Sequence, residues 1–188
     1  KYHGPKPQRV FEQYIFPYSS DSIVEILDSV QPDVILFTGA YDSNFQWHNV
    51  RNESMHYLSG LINIILSAEG HKLKRFIYLS SHQVYENHSD TLIKPDVQTA
   101  TSDYTGIAIT QGEELCRHFN DTMDVDISIL RIDHMYKYPN GLDDVTDVCS
   151  QICLDAIRTG TITINDPRTF SMMDVSDVVF GIYNYIHS

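Results

Sequence analysis

Positive charge is scarce in this chain of 188 residues: 13 lysines and arginines stand against 25 aspartates and glutamates, for a formal net charge of −12. Nucleic acid and anionic membrane surfaces both reward a basic face, so this balance excludes them as main partners. An anionic small ligand stays open, because it needs only a few aimed donors. Long hydrophobic runs are missing as well. No stretch approaches the ~20 apolar residues that span a bilayer, and no secretory leader is visible, so a cytoplasmic protein is expected. Cysteine is sparse, with three residues, Cys116, Cys149 and Cys153. Cys149 and Cys153 share one face of a helical pattern, yet no further ligand follows at a recognisable spacing, and buried free thiols are expected. The nine histidines form no HExxH or HxH pattern, so spacing gives no metal centre.

What is present is ordinary for a globular domain: 42% of residues are hydrophobic and 20% charged, enough for one sizeable core. Lys1 to Gln8 reads as a loop and Val10 to Phe16 as a short strand. Ser19, Ser20 and Asp21 offer N-caps for a helix carrying Ile23, Val24, Ile26, Leu27 and Val30. Val34-Ile35-Leu36-Phe37 reads as a strand buried on both faces. A polar loop over 41–50 leads to a long helix with Met55, Leu58, Leu61, Ile62 and Ile65 on one face, stopped by Gly70. Phe76 to Leu79 forms the next strand, ending in Ser80-Ser81. Asp103 can cap a helix containing Tyr104, Ile107, Ala108, Leu115 and Phe119, and Ile127 to Ile132 is again a strand. Val145, Val148, Cys149, Ile152, Cys153 and Ala156 make an apolar stripe closed by Gly160. A short strand over Thr161 to Ile164 and a terminal helix from Ser176 complete the chain. Alternating strands and helices mean an α/β protein with a mainly parallel sheet.

Five segments, in this order, carry a resemblance: PDVILFTGA, RFIYLSSHQVY, DYTGIAITQGEEL, ISILRIDHMY and RTFSMMDVSDVV. Together they resemble the extended short-chain dehydrogenase/reductases, which include NAD-dependent sugar-nucleotide epimerases and dehydratases. The resemblance runs from about Val10 to Ile186. It implies a Rossmann-like, doubly wound parallel sheet over residues 1–140 and part of a small α+β substrate region over 141–188. It also implies NAD or NADP as cofactor, a nucleotide sugar as substrate and a homodimer through the helices near Met55 and Tyr104. Thr38, Gly39 and Ala40 match the segment that passes the cofactor, where small residues let the backbone approach. Ser81 matches the hydroxyl beside the reacting carbon, and Tyr104 the catalytic acid/base that also lies at the cofactor. His82, His134 and Arg168 fall at substrate positions, Arg168 with a fork suited to phosphates.

Departures cluster around the cofactor. Where the family has a lysine one turn after its tyrosine, this chain has Ala108, and no other Lys or Arg lies between Lys94 and Arg117. His134 takes the place of an asparagine, and Lys137 that of a glycine. The acidic residue expected after the third strand is missing from Phe16 to Ser19, and no GxxGxxG occurs. The resemblance therefore implies a longer gene product whose opening strand would lie in mid-sheet. Two readings stay open: an epimerase, dehydratase or reductase using Tyr104, or a catalytically degenerate relative acting as a nucleotide-binding, regulatory or structural partner.

Overall fold

A computed structural model describes residues 22–41, 50–85, 93–94, 97–138, 145, 147–162 and 171–188. Three parallel strands form the main sheet in the order β1-β2-β3: β1 spans Val34–Phe37, β2 Arg75–Ser81 and β3 Ile127–Ile132. β2 is the central strand, and from Phe76 to Ser81 every residue is buried. Both edge strands are less covered. The sequence suggests a β1 buried on both faces, but Leu36 is exposed, because β1 pairs only with β2 among the described residues.

Alternation along β2 sends Phe76, Tyr78 and Ser80 to one face and Ile77, Leu79 and Ser81 to the other. The first face is covered by three helices: α1 (Ser22–Val30), α2 (Val50–Ala68) and α3 (Tyr104–Thr122). Their core joins Ile23 and Leu27 to Tyr57, Leu61, Ile65, Ala108, Ile109 and Cys116 around Phe37, Phe76 and Tyr78. The hydroxyls of Tyr57 and Tyr78 bond each other, and Tyr78 also donates to the Ile109 carbonyl at 3.0 Å. These bonds satisfy two phenols that would otherwise be stranded in apolar surroundings. Gly112 leaves room for the Tyr78 ring, since a Cβ there would sit 2.9 Å from Cζ.

Helix α2 buries Tyr57, Leu61, Ile64, Ile65 and Ala68, a stripe at i, i+4, i+7, i+8 and i+11. Met55 lies two residues before that stripe, about 200° around the helix. Its expected place on the core face is therefore corrected: it is 66% exposed.

Beyond β3 the chain forms β4 (His134–Tyr136), α4 (Val148–Thr159), β5 (Met172–Asp174) and α5 (Val175–His187). β4 and β5 pair in parallel as a small second sheet. Gly160 ends α4 with φ of 68°, the left-handed cap foreseen for it. The expected stripe of α4 is turned by one residue. Leu154 is the buried position, so Cys153 is exposed rather than buried, while Cys149 is half-buried and Cys116 fully buried. Helix α5 returns to the main sheet, where the Tyr185 hydroxyl donates to Ser128 at 2.6 Å. Arg75 donates to the Tyr185 carbonyl at 2.8 Å and lies 4.6 Å above its ring. Thr161 and Ile162 are outside any strand. The rest of that expected strand, Val10 to Phe16 and Arg168 lie outside the described residues.

Candidate functional site

In an open parallel α/β sheet, loops leaving the carboxyl ends of the strands form the crevice in which ligands bind. Three of the expected site segments sit at those ends: Thr38-Gly39-Ala40 after β1, Ser81-His82 at the end of β2, and His134 just past β3. The Thr38 side chain is exposed. Gly39 opens a 3-10 turn, and a Cβ there would stand 2.6 Å from the Phe37 ring and 3.0 Å from Tyr57. Core packing alone is thus sufficient to require glycine at this position.

Ser81 is 3% exposed. Its hydroxyl accepts from the Gln83 amide at 3.3 Å and lies 3.4 Å from His82 Nδ1, so it is engaged with the turn that follows its own strand. Pairing of Ser81 with Ile132 in the parallel ladder brings the next residues of both strands side by side. The rings of His82 and His134 stack with centroids 3.6 Å apart. Asp133 stands beside them, its Oδ1 accepting from the His134 amide at 2.8 Å and lying 3.1 Å from His134 Nδ1. Burial, reinforced by His134, pushes the His82 imidazole down to about 4 against a smaller upward pull from Asp133.

Tyr104 begins α3 and is 63% exposed, and among the described residues its hydroxyl has no hydrogen-bond partner. Asp103 caps the helix as expected, accepting from Thr105 and Gly106 amides at 3.0 and 3.3 Å. Gly106 lets this first turn press against the loop after Ser81: a Cβ there would stand 2.6 Å from the Gln83 carbonyl and collide with Thr101. One turn on from Tyr104, Ala108 is 1% exposed within the apolar core. The position where the family resemblance calls for lysine is closed by packing.

Glu113 escapes a sequence reading of the site, although its spacing from Ile109 and Cys116 puts it on the buried stripe of α3. It is fully buried and accepts from Arg131 Nε and Nη2 at 2.8 and 2.6 Å, from Ser80 Oγ at 2.6 Å and from Arg117 at 2.8 Å. Burial drives its carboxyl upward, but the bonds from Arg131, Ser80 and Arg117 outweigh it and hold Glu113 below the ordinary carboxylate value. Hydrogen bonding to Glu113 raises Arg131 further above its usual range. Arg131 also bonds the Tyr85 hydroxyl and lies 4.8 Å above that ring. Next to this network opens a cleft of about 770 Å³ whose lining includes His82, Tyr85, Lys94, Arg131, Asp133 and Met173.

A model of the NAD dependent epimerase/dehydratase family matches residues 17–187. No match was found among curated proteins. Among solved structures, the chain is similar to the Bordetella bronchiseptica enzyme WbmG in complex with NAD and UDP, at 18% identity and a TM-score of 0.72, covering 91% of this chain and 52% of that one. It is also similar to UDP-glucuronic acid 4-epimerase from Bacillus cereus in complex with UDP-glucuronic acid and NAD, at 17% identity and a TM-score of 0.70, over 91% and 54% of the two chains. UDP-N-acetylglucosamine 4-epimerase from Methanobrevibacter ruminantium in complex with UDP-N-acetylmuramic acid gives 13% identity and a TM-score of 0.74, over 92% and 56%. At such identities the likeness shows the fold, a Rossmann-like α/β architecture, and this chain spans about half the length of each of these structures. No helix among the described residues is long and apolar enough to cross a membrane.

Proposed function

Because this chain belongs to the NAD dependent epimerase/dehydratase family, we propose that it binds NAD or NADP and a nucleotide sugar at the carboxyl ends of β1, β2 and β3, with Tyr104 as acid/base in hydride transfer. The observation that carries this reading is the convergence of Thr38 to Ala40, Ser81, His82 and His134 on the strand ends where such sheets take ligands. Bound nicotinamide supplies a hydride acceptor and donor. The loop from Thr38 to Ala40 offers it an exposed hydroxyl and close backbone, while Ser81 orients a substrate oxygen. His82 and His134 line the substrate side, and Arg168 takes the phosphates by its bidentate fork.

A second reading, binding without turnover, is favoured by Ala108. A phenol with a pKa near 10 needs a neighbouring positive charge to ionise near neutrality. The strand ends offer a cofactor backbone and hydroxyls, but no cation stands one turn after Tyr104, where Ala108 is sealed in the core.

Titration of NADH and NADPH into the full chain, followed by nicotinamide fluorescence and thermal shift, tests both readings. No response to either cofactor sinks the binding proposal. Turnover of a UDP-sugar that vanishes in Tyr104→Phe supports the first reading; binding with no turnover by the unaltered chain supports the second. The same reading makes the protein a cytoplasmic homodimer joined through α2 and α3, where Met55, Leu66 and Ile107 stand exposed. A light-scattering mass that stays at 21.6 kDa across concentrations would refute the dimer.

A further inference from the structure

His82 follows β2 directly, while Asp133 follows β3 and His134 opens β4. No linear spacing links His82 to the adjacent pair Asp133-His134; the ladder that pairs Ser81 with Ile132 does. One ligand atom from each of the three side chains lies within 4.8 Å of the other two. Two imidazoles and one carboxylate are the donor set that zinc takes at three-ligand sites with a fourth position left open.

We propose that His82, Asp133 and His134 form a binding site for a divalent transition metal ion, with Zn²⁺ the ion best suited to the donors. Three further observations support it. Asp133 is braced as metal-binding carboxylates commonly are: its Oδ1 accepts from the His134 amide at 2.8 Å, and its Oδ2 from the Ser171 hydroxyl. His134 and Asp133 are about one-third exposed, at 34% and 35%, so an ion can enter from solvent. His82 and Asp133 also line the cleft, which gives the open position a place for an exchangeable water or ligand.

The required adjustment is small. Bonds of roughly 2.0–2.2 Å in a tetrahedral array put ligand atoms about 3.3–3.6 Å apart. The present spread of up to 4.8 Å is to be closed by rotating the imidazoles about their side-chain torsions, the softest degrees of freedom at the site. This proposal does not depend on the nucleotide-sugar reading, and it holds whether or not the protein turns over a substrate.

The probe is the metal alone. Chelator-treated full chain is titrated with ZnCl₂ by calorimetry and with CoCl₂ by visible absorption. The expected result is one equivalent bound, with a cobalt spectrum lacking a thiolate charge-transfer band. His134→Ala, His82→Ala and Asp133→Asn should each weaken binding at least tenfold while leaving the circular dichroism spectrum unchanged. Should a histidine variant fail to fold, Asp133→Asn, which keeps the shape of the side chain, decides alone. Absence of saturable binding overturns the proposal, and so does binding that all three variants leave unchanged. A thiolate band would transfer the ion to the cysteines and overturn it equally.

Discussion

Arg131 on β3 donates two hydrogen bonds, of 2.8 and 2.6 Å, to the two carboxylate oxygens of Glu113 on α3, the helix that covers the strand. Their geometry is the bidentate fork of a guanidinium on a carboxylate. Removing the fork leaves a buried carboxylate whose remaining partners are one exposed arginine and one hydroxyl. Arg131→Met should destabilise the fold by about 3–5 kcal/mol, because only Arg117 and Ser80 remain on the Glu113 carboxylate. Urea denaturation measures it. The double variant Glu113→Leu, Arg131→Met should recover much of the loss, since neither charge is then buried.

Acid sensitivity follows from the same carboxylate. Glu113 is held below its ordinary value of 4.5 in the folded chain, so its stabilising contribution is complete above that value and is lost as pH falls through the folded one. Unfolding free energies of the unaltered chain and of Glu113→Gln should differ by a constant amount above about pH 5 and converge below it. A gap that widens on acidification would reverse the assigned direction.

Gly106 seats the first turn of α3 against the loop after Ser81. A valine there meets the Gln83 carbonyl and Thr101, and should cost about 1–3 kcal/mol of stability. If α3 positions Tyr104, the same variant also weakens any cofactor response more than its stability loss explains. Thermal unfolding alongside the cofactor titration separates the two effects.

Restoring the family's lysine should fail. Ala108→Lys places an ammonium group in the core beside Ile109, at a cost of roughly 3 kcal/mol or more. A melting temperature equal to that of the unaltered chain would show that the lysine finds a route to solvent or to a ligand.

The thiols should differ in reactivity. Burial, with Glu113 nearby, pushes Cys116 up to about 12, whereas Cys153 is exposed. Iodoacetamide applied to folded protein, with peptide mass spectrometry, should label Cys153 first and leave Cys116 unmodified until denaturant is added.

Local signals were legible in the sequence because they are short-range. The apolar runs at Val34–Phe37 and Ile127–Ile132 are strands with those bounds, Asp103 caps α3 and Gly160 stops α4. Phase was less secure. Met55 and Cys153 are apolar, but each lies off the stripe its helix buries, and only the neighbouring elements decide which stripe that is. The site was legible as positions and not as partnerships. Ser81, His82 and His134 stand at the strand ends as the resemblance implied, whereas the stacking of two histidines across a ladder has no signature along the chain. Glu113 was hidden for the same reason, since Ser80 and Arg131 meet it from two different strands.

Ser80 and Arg131 are direct partners in the ladder between β2 and β3, and both reach Glu113 from above. Apolar parallel strands have little of their own to fix how they slide past each other. A slip by one residue turns Arg131 to the opposite face, and a slip by two carries it roughly 6.6 Å along the strand. Either error takes the Arg131 fork off Glu113 and leaves the buried carboxylate with Arg117 and Ser80 alone. The network gains little over an apolar interior in the correct pairing, and its loss disfavours the shifted ones, so a polar contact supplies register where apolar strands supply little.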